Sequence, residues 1–193
     1  MGTVADGIGV RVRDGAIETD DDWVDQLGHG TAVAATIRGH AAAAALYSIR
    51  IFRRRLEAHL EALLYAIDWA RSHGLDVLNL SLGCEEQALS DACRSATGAG
   101  LIVVAAHTDA LPGAIAVCDD RELGVDEMRF EGGVFLASSW AWPLGELPKE
   151  RNFHGTSLAV ANVTGIVAGA LAAGVPKTGI EAALRERCEK IER

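Results

Sequence analysis

The segment that decides the fold reads Phe153-His-Gly-Thr-Ser157-Leu-Ala-Val-Ala-Asn-Val-Thr-Gly165. A glycine-threonine pair precedes the serine and small apolar residues follow it, so we expect a buried helix to begin near Ser157. The first turn of a helix has free backbone N–H groups and the positive end of the helix dipole. A serine in that position is exposed beside groups that stabilise negative charge, which suits attack on a carbonyl carbon.

A second segment supplies a candidate base. Residues 28–37 read Gly-His-Gly-Thr-Ala-Val-Ala-Ala-Thr-Ile, which places His29 at the start of another helix with glycine on both sides. Histidine is the side chain whose unperturbed pKa suits a general base near neutral pH. The pattern therefore predicts that His29 activates Ser157.

These two segments resemble the histidine and serine motifs of the subtilisin-like serine proteases, the subtilases. Leu158, Ala161 and Asn162 stand where the family pattern has Met, Pro and His. The order, histidine before serine, is that of subtilisin and differs from that of the α/β-hydrolases. The resemblance covers nearly the whole chain, over residues 24–175, and implies that Ser157 is the nucleophile and His29 the general base.

A third segment, residues 75–83, reads Leu-Asp-Val-Leu-Asn-Leu-Ser-Leu-Gly. By composition it is a buried strand that ends at a turn glycine. It resembles the subtilase strand that pairs with extended substrate beside the specificity pocket. The resemblance therefore implies that Ser81, Leu82 and Gly83 bind substrate.

Strand-like apolar segments alternate with helical patterns along the chain. We predict strands over 45–52, 75–82 and 101–106, and an amphipathic helix whose apolar stripe begins at Leu56 and continues to Ile67. Strands separated by helices imply a parallel sheet, with the active site at the carboxyl ends of its strands. With the resemblance, the expected fold is α/β, a subtilisin-like three-layer α/β/α arrangement with a mostly parallel central sheet. We expect one peptidase domain over residues 1–193.

The oxyanion-stabilising residue departs from the family pattern. Subtilases have an asparagine after the strand that corresponds to residues 101–106, and here Thr108 occupies that position. A threonine hydroxyl donates a hydrogen bond but is shorter than the asparagine amide. Thr108 is therefore the candidate oxyanion donor of a slower enzyme.

The acid of the catalytic triad is also missing from its expected motif. In the family it ends the first apolar strand within Asp-Ser-Gly or Asp-Thr-Gly, and this chain has neither motif. Asp6 is the nearest match, although only residues 1–5 precede it, and Asp14 is a weaker candidate. The favoured interpretation is that residues 4–14 correspond to the region after the motif, so that the first strand and its aspartate are absent.

Composition limits the partners. The formal net charge is −9, and Arg53–Arg55 is the longest run of basic residues, which argues against nucleic acid. We find no pattern of a signal peptide or membrane span, and expect a cytoplasmic protein. We predict no cofactor. Subtilases often bind calcium, for which the acidic loop with Asp20, Asp21, Asp22 and Asp25 is a possible place, but a solvated loop is favoured.

Three functions follow. The leading one is a serine endopeptidase that hydrolyses peptide bonds through an acyl-enzyme, with a precursor peptide as a suitable substrate. The second is a catalytically weak or inactive subtilase-like protein that binds extended peptides by strand addition. The third is a transferase or ligase that passes the same acyl group to an amine. Neither specificity nor oligomeric state can be read from the sequence.

Overall fold

The computed structural model describes residues 4–81, 86–107, 111–142 and 152–191. Eight strands lie in these ranges: β1 Asp6–Arg13, β2 Ala16–Asp20, β3 Tyr47–Arg50, β4 Val77–Leu80, β5 Ile102–Ala106, β6 Ile115–Asp120, β7 Met128–Glu131 and β8 Val134–Ser138. The helices are α1 His29–His40, α2 Leu60–Ser72, α3 Gln87–Gly98, α4 Thr156–Ala172 and α5 Ile180–Ile191, with a 3₁₀ turn at Lys177–Gly179 before α5.

The strands form two sheets. A three-stranded sheet has the order β2-β1-β3, in which β1 is antiparallel to β2 and parallel to β3. A five-stranded sheet has the order β4-β5-β6-β8-β7, and its pairs are parallel except for β7 with β8. The predicted α/β class and mostly parallel sheet are confirmed.

Helices cover both faces of the five-stranded sheet. On one face, α4 and α5 contribute Val160, Val163 and Leu184 to a core with Val104 and Val117. On the other face, α2 and α3 enclose a second core; its buried members include Leu63, Ile67, Leu89, Leu101 and Val103. The layers are therefore helix, sheet and helix, as predicted, and α1 joins the layer of α4 by packing against it.

The start of α2 differs from the prediction. The helix begins at Leu60, because His59 has extended backbone angles of φ −73° and ψ 143°. Leu56 lies before the helix and is 54% exposed, so it is not part of the buried stripe. In the described ranges, no helix combines the length and apolar composition that a membrane span requires.

Candidate active site

Ser157 lies in the first turn of α4, and a glycine sets the direction in which that helix starts. Gly155 precedes the helix with φ 129° and ψ 178°, a conformation that essentially only glycine adopts. Its N–H donates to the Ser139 carbonyl at 2.8 Å, and its own carbonyl accepts from the N–H of Leu158 at 2.9 Å. The sharp turn leaves Ser157 half-buried, with its backbone at the positive end of a long apolar helix.

His29 lies at the same point of α1. Gly28 precedes it in a left-handed conformation, with φ 80° and ψ −17°. His29 is the first helical residue and is half-buried. A glycine therefore turns the chain into the helix before each of the two predicted catalytic residues.

The structure brings these two helix starts together. Ala32, from the first turn of α1, lies in one apolar cluster with Leu158, from the first turn of α4, and with Ala141. A Cβ atom on Gly28 would lie 3.5 Å from Phe153 Cζ, so the segments before the two helices also approach each other. His29 and Ser157 thus lie at the same end of the molecule, as the motifs predict.

The carboxyl end of β4 is joined to this place by polar side chains. The Ser81 hydroxyl donates to the Ser157 carbonyl at 3.1 Å and accepts from Asn79 Nδ2 at 2.9 Å. Asn79 Oδ1 in turn accepts from the Thr164 hydroxyl at 3.0 Å. Ser81 therefore fixes the end of β4 to α4, while its predicted contact with substrate stays a prediction. Leu82, Gly83 and Thr108 lie outside the described residues.

The two weak candidates for the triad acid lie elsewhere. The helix α1 starts where β4 ends and leads at its other end towards the start of β3, where Asp6 pairs with Tyr47. Asp6 is therefore at the opposite end of the strands from His29. Asp14 is exposed in the tight turn between β1 and β2, with φ 50°.

Comparison with known proteins supplies the family. The model of the Subtilase family matches residues 4–118, which is more than half of the chain. The chain belongs to the subtilase family. The match ends before Ser157, so the role of Ser157 in this subtilase stays a prediction from its motif.

Two curated proteins are similar to this chain. M-protease of Shouchella clausii is 26% identical over 186 residues, which cover 82% of this chain and 49% of the relative. Subtilisin Savinase of Lederbergia lenta is 32% identical over 120 residues, which cover 55% of this chain and 45% of the relative. This subtilase thus spans about half the length of these curated relatives. A crystal structure of a cold adapted subtilisin-like serine proteinase has the same fold, with a TM-score of 0.69 at 23% identity over 87% of this chain and 70% of that chain.

The electrostatic surroundings of His29 favour a neutral imidazole. Burial lowers the pKa of His29 below its usual 6.5, and the negative charge of Asp25 opposes this shift without cancelling it. A neutral imidazole at neutral pH is able to accept a proton from a serine hydroxyl. In the described part of the chain, Asp25 is the carboxylate whose charge acts on His29.

Asp25 itself has a structural task that the sequence analysis did not assign. One carboxylate oxygen accepts from the N–H groups of Leu27 and Gly28 at 2.9 and 3.1 Å; the other accepts from the N–H and hydroxyl of Thr31 at 2.7 and 2.8 Å. Burial alone would raise the pKa of Asp25, but these hydrogen bonds outweigh it and lower the pKa. Asp25 therefore caps α1, and an aspartate shortly before a helix start is the signal that predicts such a cap.

Two other carboxylates of the acidic loop, those of Asp20 and Asp22, are paired with arginines. Asp20 accepts a hydrogen bond from Arg53 at 2.6 Å, which lowers the pKa of Asp20, and Asp22 lies 2.9 Å from Arg50 Nη2. In the described ranges, no group of three or more His, Cys, Asp or Glu side chains is arranged to hold a metal ion. Asp20, Asp22 and Asp25 thus already face cations or N–H donors, and calcium binding at this loop stays untested.

Asn162, at the position of the family's histidine, holds the segment that leads to Ser157. It is fully buried and donates from Nδ2 to the carbonyls of Ser138 and Trp140, both at 3.0 Å. Its Oδ1 lies 2.9 Å from His40 Nε2, so this nitrogen of His40 carries the proton. Trp142 packs edge-on against His40, with ring centroids 4.8 Å apart, and so has a packing role.

Proposed function

We propose that this subtilase is a serine endopeptidase. The Ser157 hydroxyl attacks the carbonyl carbon of a peptide bond while His29 takes its proton, and His29 then returns the proton to the leaving amine. Water hydrolyses the resulting ester bond on Ser157. The packing of the first turn of α1 against that of α4 at the carboxyl end of β4 carries this proposal.

Two local properties support it. His29 has a lowered pKa and is therefore a free base at neutral pH. The Ser157 N–H comes before the first hydrogen bond of α4, which the Leu158 N–H makes to the Gly155 carbonyl, and it lies at the positive helix end, where it stabilises an oxyanion on the attacked carbonyl. Thr108 is proposed as a further donor on the basis of the resemblance alone.

Among the described residues, no carboxylate is hydrogen-bonded to His29 as the acid of a catalytic triad would be. Asp25 acts on His29 through its charge, and its hydrogen bonds with the described residues go to Leu27, Gly28 and Thr31 at the start of α1. In serine-protease triads, loss of the acid's function lowers kcat by about 10⁴-fold. We therefore expect this chain by itself to acylate slowly.

A second candidate is a peptide-binding protein with little or no activity. It is favoured by the open edge of β4, next to Ser81, because an extended peptide adds to such an edge through backbone hydrogen bonds. An intracellular location, a precursor peptide as substrate and transfer of the acyl group to an amine stay predictions from the sequence.

Labelling by a fluorophosphonate probe tests the proposal. We expect slow labelling of the purified chain, no labelling of Ser157→Ala, and at least a roughly 100-fold lower rate for His29→Ala. Ser95→Ala is the matched control, because Ser95 is exposed on α3 and its loss is expected to leave the rate unchanged. A folded chain that does not react, or that reacts equally in Ser157→Ala, would contradict the proposal and favour the peptide-binding protein.

A further inference from the structure

Arginines are concentrated around one cavity outside the candidate active site. The cavity, of about 440 Å³, is lined by residues of β1, of the connection between β3 and α2, and of the start of α2. Five arginines belong to this lining, namely Arg11, Arg13, Arg53, Arg54 and Arg55. We call this cavity the arginine pocket. Its volume is within the roughly 300–1,000 Å³ of ligand pockets, so a small molecule fits in it.

The charge around the arginine pocket is opposite to that of the chain as a whole. The chain has 27 acidic residues against 18 lysines and arginines, which gives a formal net charge of −9. Among the described residues, the lining of the pocket combines five arginines with one carboxylate, that of Glu57. Like charges around one cavity repel each other, and a bound anion relieves this repulsion. The lining therefore indicates an anionic ligand.

Two of the arginines are held in place by carboxylates that do not line the pocket. Arg53 Nη2 donates to Asp20 Oδ2 at 2.6 Å, and Arg11 Nε donates to Glu18 Oε2 at 2.5 Å. Arg53 Nε is buried without a hydrogen-bond partner among the described residues. Since buried donors are nearly always satisfied, this N–H group is suited to an acceptor that the described residues do not supply.

Two further arginines of the lining are available to a ligand. Arg54 and Arg55 are exposed, and neither forms an ion pair within the parts of the chain that the structure describes. An arginine side chain offers a planar fork of N–H donors, which binds two oxygens of one phosphate or carboxylate group. These two side chains are therefore the main candidates for direct contact with the anion.

The start of α2 adds backbone donors to the same pocket. His59 precedes this helix without a side-chain cap hydrogen bond, and the Leu63 N–H makes the first α-helical hydrogen bond, to the His59 carbonyl at 3.2 Å. The N–H groups of residues 60–62 come before that bond, and Ala62 lines the pocket. A helix start next to several arginines favours a phosphate group, because its N–H groups and its dipole both act on negative charge.

We propose that the arginine pocket binds the phosphate group of a small soluble molecule. The guanidinium groups of Arg54 and Arg55 and the first-turn N–H groups of α2 donate to its oxygens. A phosphate group fits better than a carboxylate, because it carries more than one negative charge near pH 7.5 and has three or more oxygens to share among several donors. The inference does not rest on the proposed function, since neither Ser157 nor His29 lines the pocket.

NMR titration of the full chain with inorganic phosphate, pyrophosphate and acetate tests the inference. The signals of the arginine Nε–H groups and of the backbone amides are followed at pH 7.5, with sodium chloride added to keep the ionic strength constant. We expect saturable shifts at Arg53–Arg55 and at residues 60–62. The Kd for phosphate should be at least about 10-fold lower than that for acetate, which has one charge and one carboxylate, and the Kd for pyrophosphate should be lower still.

Variants at exposed positions locate the site. Arg54→Ala should raise the Kd for phosphate by about 10-fold, and Arg54→Lys by about threefold, because lysine keeps the charge but not the fork of donors. Glu57→Gln removes the carboxylate of the lining and should lower the Kd by about threefold. Arg94→Ala is the matched control, since Arg94 is exposed on α3 and does not line the pocket, and it should leave the Kd unchanged. Circular dichroism checks that each variant is folded.

Four results would overturn the proposal. Equal shifts with phosphate, acetate and sodium chloride, or shifts that extend to Arg94, would show only a general effect of ions. Arg54→Ala that binds phosphate as tightly as the unchanged chain would place any site elsewhere. Binding to vesicles that contain phosphatidic acid, without binding of free phosphate or pyrophosphate, would identify a membrane surface and not a small molecule. Probe labelling of Ser157 reports on the proposed function alone, so either proposal can fail while the other stands.

Discussion

Two helices of this subtilase differ in how completely they are covered, and each carries one of the two predicted catalytic residues. Ser157 lies on α4, which packs on β4, β5, β6 and β8 through a buried core. His29 lies on α1, which packs against α4 and borders a cavity of about 1030 Å³ between β3 and β4, which we call the β3–β4 slot. The nucleophile is thus positioned by a closed core, whereas the base lies beside open space.

The largest expected contrast is between two leucines truncated in the same way. Leu184→Ala removes a side chain that is 1% exposed in the core of α4 and α5, and we expect a loss of about 2–5 kcal/mol in the free energy of unfolding. Leu78→Ala removes a half-buried side chain that lines the slot, and we expect roughly 1–2 kcal/mol. Urea titration monitored by circular dichroism measures both.

Equal losses for Leu184→Ala and Leu78→Ala would contradict this difference in packing between the core of α4 and α5 and the β3–β4 slot.

The next contrast concerns the glycines before the two helices. An alanine at Gly155 meets no atom within 4 Å, so Gly155→Ala tests the backbone conformation alone, with an expected loss of about 1–3 kcal/mol. It should also slow probe labelling by about 100-fold, because Ser157 moves with the helix start. Gly28 has a left-handed conformation, and a Cβ atom there would make an ordinary contact with Phe153. We therefore expect Gly28→Ala to lower the free energy of unfolding by only about 1 kcal/mol.

Stopped-flow labelling and urea titration of the two alanine variants give both quantities. If Gly28→Ala slows labelling more than Gly155→Ala does, the base and not the nucleophile is the residue more sensitive to its helix start, and the comparison above is reversed.

Asp25 is expected to have a smaller effect, with two separable parts. Asp25→Ala removes the cap of α1 and should cost about 1 kcal/mol, while Asp25→Asn keeps acceptor oxygen for the cap and should cost less. Both variants remove the negative charge that opposes the lowering of the His29 pKa, so both should lower that pKa further. NMR titration of the His29 ring checks the sign, and an unchanged pKa in both variants would contradict it.

Short sequence patterns were sufficient to predict that helices begin near Ser157 and at His29. Glycine before a helix, small residues after it and the apolar strand before Ser81 all lie within a few residues of the feature that they predict. The fold class followed from the alternation of strands and helices for the same reason. Thr108, Leu82 and Gly83 were assigned by resemblance and have no structural test in the described residues.

Contacts between distant parts of the chain were not predictable in this way. Nothing near Asn162 indicates that it meets His40, 122 residues earlier, and nothing near Arg50 indicates that Asp22 pairs with it. The place where the two sheets separate, between β3 and β4, does not follow from the composition of either strand, because an apolar strand has the same composition whether its neighbour is present or not. Leu56 was assigned to the apolar stripe of the helix because of its spacing alone. It lies before the start of α2 and lines the slot instead.

The smallest expected effect is the pH dependence of stability that the two half-buried histidines, His29 and His40, cause. Burial lowers the pKa of His29 and of His40, and the hydrogen bond with Asn162 and the charge of Asp126 only partly offset this for His40. Above the unfolded value of about 6.5 both rings are neutral in either state, and their full contribution to stability is present. As the pH falls through 6.5 the unfolded chain binds protons first, so the free energy of unfolding decreases until the pH is below the folded pKa values.

Urea titrations between pH 7.5 and 5 should therefore show a steady loss, and His40→Gln, which keeps a donor for Asn162, should show a smaller one. The lowered pKa values of Asp20 and Asp25 act in the same direction only near and below their usual value of 3.8, outside this window. If stability instead rises as the pH falls from 7.5 to 5, the histidines are stabilised in their charged form, and their folded pKa values lie above the unfolded value of about 6.5.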